Sequence, residues 1–175
     1  MEHTSYLPGC QQKTTSAWNR FYADFASTVY KWVLFLGIAE QGAEEVIQEV
    51  FLTAYRKIDT CGSEAQLKSW LFQITRKQAA NFRRSAWFKR FWHNKKAALN
   101  TDILDKNHSG TLSPEIKQLL RSLPSKQSEV LLLHDLEGFT QSEIAETLGV
   151  PTGTVASRLR KARASFTAKW WEDKR

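Results

Sequence analysis

Apolar residues recurring every three or four positions constrain this chain more than any other feature. Trp18, Phe21, Phe25, Val29, Trp32 and Leu36 keep that spacing over a first long stretch that ends near Gly37. Ala43, Val46, Ile47, Val50 and Ala54 repeat it, and Leu67, Trp70, Leu71 and Ile74 open a third stretch running on into RKQAANFRRS. Such spacing lines one face of an α-helix, and no strand-like alternation persists. The polar stretch IDTCGSEAQ, containing Gly62, separates the second helix from the third. After Trp92 the pattern fades through HNKKAALNTDILDKNHSGTL, which reads as a flexible linker. Ser113 and Pro114 then suit the cap and first position of a helix. Ser125, after Pro124, suits the cap of another helix that stops at Gly138. The expected fold is all-α: a helical domain over 14–92, a flexible linker over 93–112 and a second helical domain over 113–175.

Composition narrows the function classes. With 175 residues, 42% of them hydrophobic, the chain can bury one sizeable core or two small ones. The net charge of +7 suits an anionic partner, but where the charge sits says more. From Ala65 to Thr101 there is no acidic residue, while Lys68, Arg76, Lys77, Arg83, Arg84, Lys89, Arg90, Lys95 and Lys96 all fall there. Cys10 and Cys61 have neither a metal-ligand spacing nor a disulfide framework, which fits a reducing cytoplasm. The opening MEHTSYLPGCQQK has no basic region followed by an apolar run, so no signal peptide is expected. The most apolar stretch, VYKWVLFLGIA, is interrupted by Lys31 and too short for stable membrane insertion. A cytoplasmic location is expected.

Near the C-terminus, FTQSEIAETLGVPTGTVASRLRKAR reads as two short helices broken at GVP. Thr140 and Glu143 have capping-box spacing, and Phe139 and Ile144 sit where a hydrophobic staple closes over that cap. Gly149 permits the left-handed residue that ends the first helix, and Pro151 restarts the chain. On the second helix Val155, Leu159, Ala162 and Phe166 share the inward face. Gly153, Ser157, Arg160 and Lys161 then point outward, with Arg158 at the flank. Small residues and cations on an outward face suit a DNA major groove, in a helix-turn-helix.

Two other surfaces stand out. Glu45, Gln48, Glu49 and Leu52 share one face of the second helix, opposite its apolar stripe. An acidic patch with an apolar centre suits a protein partner, because carboxylates repel phosphates. Taken alone, such a face is read first as a solvated one. On the third helix, basic residues lie with Trp70 and Phe72, a mixture that suits unstacked bases and phosphates. Helical spacing places Trp70 with the core residues. WFKRFWHNKK reads either as a further strand-contacting surface or as the apolar end of the domain. No histidine or aspartate converges with Glu44, Glu45 and Glu49 at metal-ligand spacing. His134 fits a satisfied helix residue, His93 and His108 fall in the linker, and His3 in a tail. No nucleotide loop or nucleophile site is present, so neither enzyme activity nor a cofactor or metal is expected.

Together these segments resemble a bacterial sigma factor of the extracytoplasmic-function (ECF) group, over nearly everything from Trp18 to Lys169. LPSKQSEVLLLHDLEGFTQSEIAETLGVPTGTVASRLRKAR is similar to sigma domain 4, and AEEVIQEVFLTAYRKI and WLFQITRKQAANFRR are similar to sigma domain 2. The resemblance implies a transcription initiation factor that binds core RNA polymerase and directs it to particular promoters. In the minus-35 duplex, Ala156, Ser157, Arg160 and Lys161 match base- and backbone-contacting positions, with Thr154 and Arg158 beside them; Thr140 and Gln141 would reach phosphate. Asp59 to Gln66 corresponds to a loop that captures a flipped minus-10 base. Asp59, Cys61, Lys68, Arg76, Lys77, Asn81, Arg83 and Arg84 are the implied minus-10 set. Glu45, Gln48, Glu49 and Leu52 match the helix that docks on the polymerase beta-prime clamp, which reverses the solvated reading of that face; a beta-flap contact is implied for domain 4. An anti-sigma factor is the further expected partner, and the free chain is expected to be monomeric.

The chain departs from the family pattern in places. Gly42-Ala43-Glu44-Glu45 stands where Asp-Ala-Glu-Asp is usual. Arg76-Lys77 and Asn81 replace Arg-Asn and an Asp, and Ala156 replaces a basic residue. These leave the class intact and bear on the promoter sequence. The competing classes are a one-component or response-regulator DNA-binding protein, which should carry a sensing or receiver domain, a metal-dependent nuclease, and an interaction protein binding an acidic partner.

Overall fold

The structure is a computed structural model that describes residues 5–92, 119 and 122–172. Every regular element among the described residues is helical, and the chain divides into two compact units. The expected linker over 93–112, the Ser113–Pro114 helix start, and His3, His93 and His108 lie outside the described residues.

The first unit holds α1 (Leu7–Gln11), α2 (Thr15–Phe35) as far as Val33, α3 (Glu40–Lys57) and α4 (Leu67–Trp92), with single 3₁₀ turns at Ile58–Thr60 and Glu64–Gln66. It begins before residue 14: α1 seats Cys10 at 0% exposure, and the indole of Trp18 donates to the Cys10 carbonyl at 3.1 Å. Gly37, at φ 82°, ends α2 in a conformation that glycine adopts without steric cost. The core follows the expected stripes. Phe21, Val29 and Trp32 of α2, Ala43, Val46, Val50 and Ala54 of α3, and Leu71 and Ala79 of α4 are all essentially inaccessible. Trp32 sits edge-on to Phe72 at 5.3 Å, and Phe21 is ringed by Tyr6, Trp18, Phe25 and Phe51 at 4.8–6.0 Å. Each such pair adds about 0.5–1.5 kcal/mol beyond the area it buries.

Here one expectation is exchanged for another. Phe72, taken as a platform beside the basic residues, is fully buried, whereas Trp70, placed in the core by spacing, is only half-buried. Its indole N–H donates to the Thr60 hydroxyl at 3.1 Å, tying α4 to the preceding turn. Trp32 on α2 draws the core toward Phe72, so the apolar sector of α4 is rotated from the one the spacing suggests.

The second unit holds α5 (Ser125–Leu131), α6 (Gln141–Leu148) and α7 (Thr152–Glu172). Val130, Leu132, Leu133, Ile144, Leu148, Val155, Leu159 and Ala162 form its core. Ser125 does not cap α5. Pro124 occupies the cap position and its carbonyl accepts from Gln127 and Ser128, while the Ser125 hydroxyl turns to Glu129 at 3.4 Å. Residues Leu132–Leu136 then make one wider π turn, in which the Glu137 N–H reaches the Leu132 carbonyl at 3.1 Å. Gly138 follows at φ 75°.

Candidate nucleic-acid and protein interfaces

The turn between α6 and α7 is set by local chemistry. The Glu143 N–H donates to the Thr140 hydroxyl at 3.2 Å, and the Thr140 N–H donates to the Glu143 carboxylate at 2.8 Å, closing a capping box. The bonds that the Glu143 carboxylate accepts from the Thr140 N–H and hydroxyl hold it below its ordinary range. Gly149 takes the left-handed conformation at φ 64° and ψ 42° that ends α6. α7 then turns Val155, Leu159 and Ala162 inward and leaves Gly153, Ala156, Ser157, Arg160 and Lys161 exposed. Phe166, Thr154 and Arg158 are half-buried at the flanks. The Ser157 hydroxyl folds back onto the Thr154 carbonyl at 3.0 Å. The outward face is therefore a smooth strip bearing two cations, of a width that a major groove admits. Thr140 takes a different part from the expected one. Its hydroxyl is engaged by Glu143 as both donor and acceptor, so it is committed to the cap, and Gln141 beside it is half-buried.

Sequence reasoning overlooked a pair that braces this helix. Arg163 donates to both carboxylate oxygens of Asp135, through Nε at 3.0 Å and through its terminal nitrogen, and His134 Nδ1 lies 2.8 Å from the same carboxylate. The bonds from Arg163, with a further contribution from His134, hold the Asp135 carboxyl low despite partial burial. His134 is thus a satisfied helix residue, as expected. The wider turn at Leu132–Leu136 brings Asp135 to Arg163 and leaves Leu136 half exposed; no spacing rule announces such a turn.

On α4 the expected minus-10 residues separate by side. Trp70, Lys77 and Arg84 follow one another at seven-residue intervals, and a helix drifts only about 20° per such step. They form a single stripe about 21 Å long, an aromatic edge followed by two exposed cations. Arg76 and Arg83 make a parallel, half-buried stripe beside it. Lys68 is nine residues from Lys77 and so falls on the opposite side of the helix. The turn over 58–66 stands at the head of the exposed stripe, joined to it by the Trp70–Thr60 bond. Asp59, Thr60 and Gly62 are exposed there. Cys61 is a correction to the expected contact set. It is 3% exposed, its sulfur lies 3.5 Å from the Ser63 carbonyl, and it anchors the turn from within. Burial pushes both its thiol and that of Cys10 above the ordinary range, away from reactivity.

On α3, Glu45, Gln48, Glu49 and Leu52 are all exposed on one face, opposite buried Val46, Ile47, Val50 and Ala54. Beside them a groove of about 300 Å³ is lined by Glu45, Val46 and Glu49 of α3 and by Gln78, Asn81, Phe82 and Ser85 of α4. The Gln78 amide donates to the Thr53 hydroxyl at 2.8 Å and fixes the spacing of the two helices. Asn81, expected with the minus-10 set, lines this groove and also accepts from Arg84, so it stands where the acidic and basic surfaces meet. Gly42 lets the helices close at this point: a Cβ there would lie 2.5 Å from the Phe82 ring. The side chains of 87–92, and all of 93–96, lie outside the described residues, and with them the two readings of WFKRFWHNKK. Among the described residues no group of three or more His, Cys, Asp or Glu is placed to hold a metal ion. No described helix is long and apolar enough to cross a membrane.

Comparison with known proteins bears on both units. A family model described as Sigma-70 region 2 matches residues 21–89, and one described as Sigma-70, region 4 matches residues 113–166. The ECF RNA polymerase sigma factor EcfG of Rhodopseudomonas palustris (strain TIE-1) is 30% identical over 135 residues, 75% of this chain and 72% of its own. The RNA polymerase sigma factor NccH of Alcaligenes xylosoxydans xylosoxydans is 28% identical over 139 residues, 75% of each chain. Among solved structures, the sigma factor RpoE of Bartonella quintana, in complex with the anti-sigma factor NepR, superposes with a TM-score of 0.69 at 24% identity, covering 86% of this chain and 94% of that one. CnrH, in complex with the cytosolic domain of CnrY, gives a TM-score of 0.68 at 21% identity over 96% of each chain. These two structures show the fold. The family follows from the two matched sigma regions and from the identity to EcfG: the chain belongs to the ECF RNA polymerase sigma factors, alternative sigma factors that direct promoter-specific transcription initiation.

Proposed function

We propose a division of labour between three surfaces. The exposed strip of α7, with Arg160 and Lys161 at its centre, reads the minus-35 element as duplex. The Trp70–Lys77–Arg84 stripe and the 58–66 turn hold the melted minus-10 strand, the cations neutralising phosphate and the turn receiving an unstacked base. The acidic face of α3 and its groove dock on the beta-prime clamp helices of core polymerase, and the second unit meets the beta flap. The chemistry of RNA synthesis belongs to the polymerase, so the chain itself is not an enzyme and acts in the cytoplasm with it. An anti-sigma factor is the expected regulatory partner, a reading supported by the RpoE structure, which is in complex with the anti-sigma factor NepR.

The observation that carries this proposal is the segregation of charge within the first unit. Carboxylates occupy α3 and cations occupy the exposed stripe of α4, so a protein-binding surface and a strand-binding surface lie side by side with opposite sign. Run-off transcription with purified core polymerase on a library of genomic promoter fragments tests it. Specific transcripts should appear only with the chain, and their shared upstream sequences should give the two promoter elements. Arg160→Ala should weaken minus-35 duplex binding by about 1–3 kcal/mol and leave core binding intact. Glu49→Lys should do the reverse. Equal loss of both activities in either variant would show that the surfaces are misassigned.

A further inference from the structure

Glu64 receives more hydrogen bonds from a distant part of the chain than a surface turn needs. Its Oε1 accepts from the Tyr6 N–H at 3.0 Å, and its Oε2 accepts from the Leu7 N–H at 2.9 Å and the Ser5 hydroxyl at 3.2 Å. All three donors belong to one short strap, residues 5–11, which leads into and includes α1. The strap is held elsewhere as well. The Tyr6 hydroxyl donates to Asp24 at 2.6 Å, Arg20 donates to the Ser5 carbonyl at 3.3 Å, and Cys10 is fully buried. α1 packs directly on the Ile58–Thr60 turn. On its other side that turn is tied to α4 through Trp70 and Thr60, and the Thr60 hydroxyl donates in turn to the Lys57 carbonyl at 2.7 Å. Residues 58–66 are thus gripped from two sides, with Asp59 and Gly62 exposed between the grips.

We propose that Glu64 is a positioning residue for minus-10 recognition: by latching the N-terminal strap it fixes the shape of the 58–66 turn against which an unstacked base is held. This rests on the assignment of that turn to the minus-10 strand given above. A turn that must order itself when the base arrives loses that ordering entropy from the binding free energy, and a turn already held does not. Ordering also bears on selectivity. A rigid wall accepts one base shape and rejects the others, whereas a pliable one adapts to each. A carboxylate suits the latch because its two oxygens meet three donors, two of them free backbone N–H groups at a helix start. A glutamine amide offers one acceptor oxygen in place of two.

The test uses holoenzyme reconstituted from the full chain and core polymerase. Its DNA is a forked promoter with a duplex minus-35 element and a single-stranded minus-10 element, carrying each base in turn at every minus-10 position. Glu64→Ala should reduce affinity for the preferred base about five- to tenfold and for the others less, compressing the preference ratio. Binding to minus-35 duplex and to core polymerase should be unchanged. Hydrogen exchange should show the Tyr6 and Leu7 amides losing protection, with Glu64→Gln intermediate in both readouts. An unchanged preference ratio in a variant whose Tyr6 and Leu7 amides have been freed would overturn the proposal, as would amides that stay protected in Glu64→Ala. A wild-type holoenzyme without base preference on the fork would instead overturn the assignment of the turn itself, and the latch with it.

Discussion

At Thr140 and Gly149 single residues decide where α6 begins and ends, and both were legible in the sequence because their chemistry is local. Thr140→Ala should remove the acceptor for the Glu143 N–H and cost about 1 kcal/mol, read as a lower melting temperature, while Thr140→Ser should keep most of it. At Gly149 a Cβ would meet nothing within 4 Å, so the penalty of Gly149→Ala comes from its positive φ alone, about 1 kcal/mol. Glu143 and Asp135 both have carboxyl pKa values lowered by their bonds in the folded chain. Such groups stabilise above their unfolded pKa, and the contribution is lost as pH falls through the folded one. Melting temperature should therefore drop on acidification below about pH 4, and Asp135→Asn with Glu143→Gln should flatten that dependence. Gly42 shows what local reading misses. Its departure from the family's aspartate looks like a lost charge, yet the Phe82 ring, forty residues on, fills the space where a side chain would stand. Restoring the family pattern with Gly42→Asp should weaken core binding unless Phe82→Ala accompanies it.

Among elements, the helices were legible wherever one apolar stripe settled their orientation, as on α3. α4 was not, because its apolar sector is broad and only Trp32 on another helix decides that Phe72 faces in and Trp70 faces the turn. Spacing alone sets Lys68 on the opposite side of α4 from Lys77, and the rotation decides that Lys77 and Arg84 are the exposed ones while Lys68 is half-buried. Salt dependence should expose it: Lys77→Ala and Arg84→Ala should each reduce the slope of log K against log salt for fork binding by about 1, and Lys68→Ala should not. The π turn before α6 left no trace in the pattern, since one extra residue in a buried helix keeps the stretch apolar. Its product, the Asp135–Arg163 pair, is partly solvated, with side-chain exposures of 31% and 52%. A double-mutant cycle on that pair should therefore give a coupling under about 1 kcal/mol, and its weight should lie in orienting α7.

For the whole molecule, the net charge of +7 is a sum of opposed surfaces, and its arrangement matters more than its size. A uniformly basic chain would attract DNA on every side, whereas here the exposed carboxylates of α3 repel phosphate from one face. Two-domain organisation was readable from where the apolar pattern faded, but the starting point of the first unit was not. Residues 5–11 carry no stripe of their own and are ordered by Trp18, Arg20 and Asp24 on the next helix and by Glu64 far along the chain. That arrangement also bears on the order of folding. The strap's bonds to Glu64, 57 to 59 residues downstream, close a long loop, whereas its bonds to α2 span 8 to 18 residues. α3 and α4 meet across a short connection and can find each other first. The Glu64 latch can close only once those helices have placed the 58–66 turn, and the Tyr6 and Leu7 amides it holds should be the last of the first unit to gain protection in pulse-labelled refolding and the first to lose it on warming.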